Sequence, residues 1–490
     1  MITRTCARCV AGALLAGLGA RAADAQDDAV RRSNGDPRPN LVLIVLDDFG
    51  VDRLGAFGQG NDGDPPPCTP NLDALAREGI LFRRVWTDPL CSPSRAQLLT
   101  GRHGFRTGIG KGIDAAADRS LRVELEDMLP RMLAGYDSSA VGKWHLLSLA
   151  DGDANHPLDA GFGYYAGSLF NLTAPVPEAE ACRGRSALNY SNWLKTFDVA
   201  GNGALGSRCS AQYATTDTAD EAVLRARLMR PPWFLYVAFN APHWPVHDPP
   251  KHLCPRDADC PRIYCAGDKK TRTPELRVRA MVEALDTEIG RLLSEVRALH
   301  PNTLFFVIGD NGSDDMSAAP DDAQEPKRGK ATLFEGGIHV PLIAAGPGVV
   351  AGECDALVSS TDIYATLTEL AGAPAAAEDS VSFVPYLRGE RAPLRKTVYA
   401  EGFFPNQPHE ALAQGFTPTN HTRALRDERY KLIRATTPEG TVESLFDLDL
   451  DPLERNDLLL RDADHAPDLS AEARERCLAL RAELDEIEAR

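Results

Sequence analysis

Short apolar runs recur along this chain between amphipathic stretches, and few folds accept that alternation. Residues 41–46, 139–141, 233–239, 304–308 and 340–345 are rich in Val, Ile, Leu and Phe. Runs of this length suit strands covered on both faces in a mostly parallel sheet. Helical patterns separate them, over residues 70–78, 125–134, 219–229, 275–299 and 362–370. The expected class is therefore α/β, a large mixed and mostly parallel sheet flanked by helices. Near residue 390 a polar link, Arg388 to Pro393, changes the pattern. Beyond it, residues 397–401, 423–426, 430–434 and 442–446 read as a smaller antiparallel sheet. Residues 470–490 read as a terminal amphipathic helix, expected to pack that sheet onto the main domain.

The polar residues just beyond each apolar run narrow the function. Residues 41–46 lead into Asp47 and Asp48, and residues 304–308 into Gly309, Asp310 and Asn311. Residues 139–141 lead into Lys143 and His145, and residues 233–239 into Asn240 and His243. In open α/β sheets ligands bind beyond the carboxyl ends of the strands, so these polar clusters are expected to share one cleft. Asp47, Asp48, Asp310 and Asn311 offer only hard oxygen ligands, a set that prefers Ca²⁺, or Mg²⁺, to Zn²⁺.

The chain has 490 residues, 43% of them hydrophobic and 25% charged, with a formal charge of −17. This is ordinary globular composition. The acidity argues against nucleic acid and against anionic lipid as partners. It does not exclude an anionic substrate, because a local cluster of cations outweighs a distant screened field. Residues 1–26 resemble a secretory leader, with Arg4 and Arg8, an apolar stretch over residues 9–18 and small residues through Ala25. Export is expected, to the periplasm or the medium, with no membrane span in the mature form; an uncleaved anchor is the competing reading. Cys68, Cys182, Cys209, Cys254, Cys260, Cys265, Cys354 and Cys477 form an even set outside the leader and outside Cys91. In an exported chain that set suits disulfides, centred on residues 182–265, of undetermined pairing; the competing reading is a metal site on Cys254, Cys260 and Cys265, whose spacing lacks the Cys-x-x-Cys pairs of zinc modules.

Cys91-Ser92-Pro93-Ser94-Arg95, running into Thr100-Gly101, reads as a helix start. Ser92 can cap, Pro93 suits the first helical position and Gly101 can end the helix. Cys91 then stands just before a helix N-terminus, which favours an anion, with a guanidinium four residues on. Here the chain resembles the type I sulfatases, whose signature is Cys-x-Pro-x-Arg followed by Thr-Gly. Gly142-Lys143-Trp144-His145-Leu146, Ala241-Pro242-His243-Trp244-Pro245, and Lys330 ahead of Glu335-Gly336-Gly337-Ile338-His339-Val340-Pro341 also resemble family blocks. The matches run from about residue 38 to about residue 345, with weaker ones beyond. Leu147 stands where the family has Gly, and His339 where Arg is usual.

The resemblance implies an alkaline phosphatase-like fold, with residues 38–392 catalytic and residues 393–490 a small C-terminal α+β unit. It implies that Cys91 is oxidised by a formylglycine-generating maturation enzyme to 3-oxoalanine (Cα-formylglycine), whose hydrate attacks sulfur. It further implies catalytic roles for Cys91, Arg95, Lys143, His145, His243 and Lys330, and a metal, Ca²⁺ or Mg²⁺, on Asp47, Asp48, Cys91, Asp310 and Asn311. The implied substrate is a sulfated glycan or aryl sulfate. Two alternatives stay open: a phosphonate monoester hydrolase or phosphodiesterase of the same superfamily, and a secreted binding protein with an unmodified Cys91. Tyr190, Trp193, Tyr213 and Tyr264, in a long segment suited to rim the cleft, could stack on a substrate ring or pack beneath a loop.

Overall fold

The computed structural model describes residues 38–58, 65–183, 187–198, 203–256, 260, 263–265, 270, 272–314, 328–374, 377–407, 418–460 and 469–488. The leader-like stretch, residues 1–26, lies outside them. Among the described residues, ten strands form one sheet: β1 (Asn40–Leu46), β2 (Ile80–Trp86), β3 (Asp137–Lys143), β4 (Tyr165–Ser168), β5 (Trp193–Asp198), β6 (Leu205–Ser210), β7 (Trp233–Phe239), β8 (Thr303–Gly309), β9 (His339–Ala345) and β10 (Gly352–Ser359). The strand order is β10-β2-β9-β8-β1-β7-β3-β4-β5-β6. The run from β8 to β4 is parallel, whereas β9 pairs antiparallel with both β8 and β2.

The apolar runs behave as strands buried on both faces. Leu41, Leu43 and Val45 pack into one hydrophobic core, and Val42, Ile44 and Leu46 into the other. Strand pleating sends alternate side chains to opposite faces, and helices cover each side. The helix Pro274–Leu299 covers one face with Met281, Leu285, Ile289 and Leu292. The helix Asp362–Leu370 covers the other with Ile363, Tyr364 and Leu367.

Four further strands, β11 (Val398–Phe404), β12 (Asn420–Arg426), β13 (Tyr430–Thr437) and β14 (Gly440–Asp447), make the small antiparallel sheet. One face of it, with Ala400, Ala424 and Ile433, packs directly on Trp86, Leu333, Ile338 and Leu357 of the main domain. The terminal helix Ala471–Glu488 covers the opposite face through Ala473, Cys477, Leu480 and Leu484. The expectation that this helix joins the sheet to the main domain is therefore corrected: the sheet docks unaided, and the helix shields its outer side.

Other elements also differ from the sequence reading. The helix expected over residues 125–134 shrinks to Leu129–Met132, because Pro130 lacks an N–H and suits only a first helical turn. Strands β2, β4, β5, β6 and β10 carry no long apolar run; Arg83 and Arg84 interrupt β2, and β6 is only partly covered. Disulfides Cys182–Cys209 and Cys254–Cys265 fall inside the expected segment, but Cys68–Cys260 reaches outside it. Cys354 and Cys477 are free and buried. No helix among the described residues is long and apolar enough to cross a membrane.

Candidate active site

Parallel strands deliver the polar clusters to one edge of the sheet. Asp47 and Asp48 follow β1, Asp310 and Asn311 follow β8, Lys143 is the last residue of β3, and His243 lies in the turn after β7. Strand β2 runs the same way, since it opposes β9, which opposes β8. Its C-terminal end leads to the helix Cys91–Thr100. Asp48 and His145 hold positive φ angles of 61° and 58°, a conformation that costs energy in residues other than glycine and clusters at functional sites. At Gly142, φ is 90° and a Cβ would stand 1.9 Å from the Ala238 carbonyl oxygen. Only glycine lets β3 close on β7 just before Lys143.

Cys91 sits 3% exposed among these strand-end residues. Its thiol donates to Asp47 Oδ1 at 3.2 Å, and Lys143 Nζ lies 3.5 Å from its sulfur and 2.6 Å from Asp47 Oδ2. Arg95 is fully buried: Nε and Nη2 donate to Asp310 Oδ2 at 3.0 and 2.7 Å, and Nη1 to the Lys143 carbonyl at 2.8 Å. Asp310 Oδ1 accepts the Asp48 N–H at 3.1 Å, and Asn311 Nδ2 donates to Asp48 Oδ1 at 2.9 Å. Lys330 Nζ closes the other side, 2.8 Å from Asp48 Oδ2. Its loop is pinned by hydrogen bonds from Lys330 N to Ser313 O and from Ala331 N to Pro89 O. His243 Nε2 stands 4.0 Å from Asp48 Oδ2.

The protonation states are set by burial and this charge pattern. Burial and the neighbouring Asp47 push the Cys91 thiol well up, so it is a poor source of thiolate. Against burial, which raises it, the Lys330 ammonium, with His243 and Lys143, holds Asp48 well below the usual carboxylate range. Burial and Asp47 push Asp310 up. Burial, Lys143 and Arg95 press His145 far down; burial, Lys330 and Lys143 bring His243 down to about 3. Both imidazoles are therefore neutral, and their hydrogen bonds fix the tautomers. His145 Nε2 lies 3.2 Å from the Ile113 carbonyl, and so donates, leaving Nδ1 buried without a partner. His243 Nδ1 lies 2.7 Å from the Trp244 carbonyl, leaving Nε2 as the free acceptor.

The donor set fits a hard divalent cation. Three carboxylates converge, the repulsion between Asp47 and Asp310 is felt in the raised Asp310, and Asn311 Oδ1 is buried with no hydrogen-bond partner. Among the described residues, Asp47, Asp48, Cys91 and His243 present ligand atoms within 4.8 Å of one another. His243 falls in this group through its closeness to Asp48, and Asp310 borders it, with Oδ2 on Arg95 and Oδ1 on the Asp48 amide.

Several local expectations change. Ser92 does not cap: Leu90 precedes the helix without a side-chain cap, and Ser92 lies in the first turn. The Ser92 hydroxyl instead donates to the His145 carbonyl at 2.7 Å and accepts the Ile113 N–H at 3.0 Å, bracing the strained residue. Leu147 is wholly buried. His339 pairs with Glu335 and with the Arg83 carbonyl. Tyr190, Trp193, Tyr213 and Tyr264 are all buried, so they pack and do not face substrate. Trp244, which follows His243 in the chain, is 53% exposed.

The comparisons with known proteins agree with this architecture. The Sulfatase family model matches residues 39–373, and the model for the C-terminal part of N-sulphoglucosamine sulphohydrolase matches residues 328–483. N-acetylgalactosamine-6-sulfatase of Sus scrofa is 31% identical over 387 residues, covering 74% of this chain and 69% of its own length. Arylsulfatase A of Homo sapiens is 30% identical over 475 residues, covering 91% and 88%. Among solved structures, Ps i-CgsB in complex with k-i-k-neocarrahexaose superposes with a TM-score of 0.67 at 24% identity, over 92% of this chain and 93% of that one. PsFucS1 sulfatase from Pseudoalteromonas sp. gives a TM-score of 0.63 at 23% identity, over 95% and 94%. The fold is the alkaline phosphatase-like one these structures share, and the chain belongs to the type I sulfatase family. It is a sulfuric ester hydrolase.

Proposed function

We propose that this protein is an exported sulfatase acting on sulfate esters of carbohydrates or aryl alcohols, with residues 38–392 as its catalytic domain and residues 393–490 as a C-terminal subdomain. Cys91 is the site of conversion to Cα-formylglycine by a maturation enzyme, and the hydrate of that aldehyde supplies the attacking oxygen. Asp47, Asp48, Asp310, Asn311 and position 91 would hold Ca²⁺, or Mg²⁺, which when bound supplies Lewis-acid stabilisation of charge on oxygen.

The chain's own side chains account for the rest. Lys143 and Lys330 flank position 91 and take up the negative charge of the sulfonate oxygens, while Arg95 holds Asp310 and the Lys143 carbonyl in register. Lys330 carries its proton before substrate arrives, held by Asp48. Burial and the two lysine charges keep His243 neutral; an anionic ester offsets the lysine part, so that Nε2 can take up a proton and give it to the leaving oxygen, with Lys330 beside it. His145, neutral with Nδ1 unpaired, is the acceptor for the proton given up as sulfate departs and the aldehyde returns.

The carrying observation is the buried Cys91 at a helix start, with Asp47 and Lys143 against its sulfur and Lys330 and His243 across the cleft on Asp48. The test is mass spectrometry of the Cys91 peptide from active protein, with kcat/KM on aryl sulfates, sulfated glycans and a phosphonate ester. Thiol-to-aldehyde conversion and preference for sulfate are expected, and Cys91→Ala should abolish turnover. Full activity with the sulfur retained refutes the reading.

A further inference from the structure

The turn that carries His243 is gripped by a phenol from a distant part of the chain. The His243 N–H closes the turn on the Asn240 carbonyl at 3.0 Å. The Tyr190 hydroxyl lies 2.6 Å from that same carbonyl oxygen and 2.8 Å from the carbonyl oxygen of His243. A phenol has one hydrogen to donate, so it is shared between two carbonyls of a single short turn, one of them on His243 itself. A buried hydroxyl is costly without such partners, and Tyr190 is only 1% exposed.

Tyr190 is itself held from all sides. Its ring lies on His247 with centroids 4.3 Å apart, and His247 Nε2 meets the Tyr213 hydroxyl at 3.0 Å. Its carbonyl accepts the Ala214 N–H at 2.7 Å, which ties it to the start of the helix Ala214–Leu228. Nearby, Asn192 Nδ2 donates to the Cys182 carbonyl at 3.2 Å, and Cys182 is bonded to Cys209. The imidazole of His243 takes its orientation from the next carbonyl, that of Trp244. A shift of this turn therefore passes to Nε2.

We infer that Tyr190 is a positioning residue for His243, its hydroxyl setting the turn so that Nε2 meets the leaving oxygen of the ester. This rests on the proposed role of His243 at that oxygen. Tyr190 touches no substrate; it acts on the reaction only through where the imidazole stands.

A positioning role of this kind shows in the leaving-group dependence of the rate. For the matured, full-length enzyme, kcat/KM is measured on aryl sulfates running from 4-nitrophenyl sulfate to phenyl and alkylphenyl sulfates. Losing a proton donor hurts poor leaving groups most. His243→Ala should lose on the order of 10²–10⁴-fold on phenyl sulfate and far less on nitrophenyl sulfate. Tyr190→Phe keeps the stacked ring and should steepen the dependence in the same direction, by about tenfold at the phenyl end, with its melting curve checking the fold. Combined with His243→Ala it should cause no further loss, because both act through one group. If Tyr190→Phe does not accumulate, His247→Ala, which removes the ring under Tyr190, should steepen the series likewise. A uniform loss across the series, or a double variant worse than His243→Ala alone, overturns the assignment of Tyr190. A slope left unchanged by His243→Ala overturns instead the role of His243 itself.

Discussion

Replacing Lys431 with methionine strikes at the joint between the small sheet and the main domain. Lys431 is wholly buried on β13, with Nζ 3.1 Å from the partly covered Glu335 Oε1 and 2.7 Å from the buried Glu454 Oε1. Glu335 keeps Arg426 at 3.5 Å and His339 at 3.2 Å when the lysine goes, but Glu454 is left with no ion-pair partner among the described residues. Burial and the nearby Glu335 already push Glu454 up with the lysine in place, so without it Glu454 takes a proton in the folded state. Protonating a carboxyl of ordinary value 4.5 at pH 7 costs about 3.4 kcal/mol, at about 1.4 kcal/mol per pH unit, and this caps the share that Glu454 adds. The cap agrees with the ~3–5 kcal/mol usual for breaking a buried pair.

The sign with pH comes from linkage. In the wild type, burial raises Glu335, but Lys431 and Arg426 outweigh it and hold the carboxyl well below its ordinary value. That contribution is present above the unfolded value and is lost as pH falls through the folded one. In the variant, Glu454 is raised, which favours the folded state at low pH. The Glu454 share of the Lys431→Met deficit is therefore at most about 3.4 kcal/mol at pH 7 and below about 1 kcal/mol at pH 5. The share lost at Glu335 persists at both, so the deficit should shrink by up to about 2.5 kcal/mol between the two. Trp86, whose ring centre lies 4.8 Å from Lys431 Nζ, reports the transition by fluorescence in urea titrations at the two pH values. A deficit under about 1 kcal/mol at pH 7, or one equal at both pH values, refutes the reasoning.

Gly142→Ala should destabilise by about 3 kcal/mol or more, since the new methyl meets the Ala238 carbonyl at 1.9 Å and φ is unfavourable for alanine; a thermal melt unchanged within about 2 °C would contradict the close approach of β3 and β7. Chelation should remove activity, and added Ca²⁺ should restore it with a rise in melting temperature. Asn311→Ala should weaken that Ca²⁺-dependent rise at least about tenfold in midpoint concentration, as loss of one oxygen ligand predicts, and an unchanged midpoint would remove Asn311 from the ligand set.

Local patterns carried part of this structure openly. The helices Pro70–Glu78 and Asp362–Leu370 match the expected bounds, because a proline at the first position and apolar periodicity are local signals. Asp47, Asp48, Asp310, Asn311, Lys143 and His243 are expected at one strand-end cleft, and they lie together there. A buried strand shows itself by its apolar run, and parallel topology brings the strand ends to one edge. Cys91 and Lys330 join that cleft on the strength of the family motif.

Whatever depended on pairing distant segments was invisible in the chain. Cys68 reaches Cys260 across 192 residues, Tyr190 holds a turn about fifty residues on, and Ser92 braces His145 instead of capping its own helix. Edge strands such as β6 carry mixed side chains because only part of each is covered, so their composition does not mark them. Residue type and spacing settled which chemistry the chain offers, since nucleophile, cations and acidic ligands announce themselves by kind. Packing alone decided which nitrogen of each histidine is free, which aromatic rings are buried and which stands open, because those depend on neighbours that only the folded chain supplies.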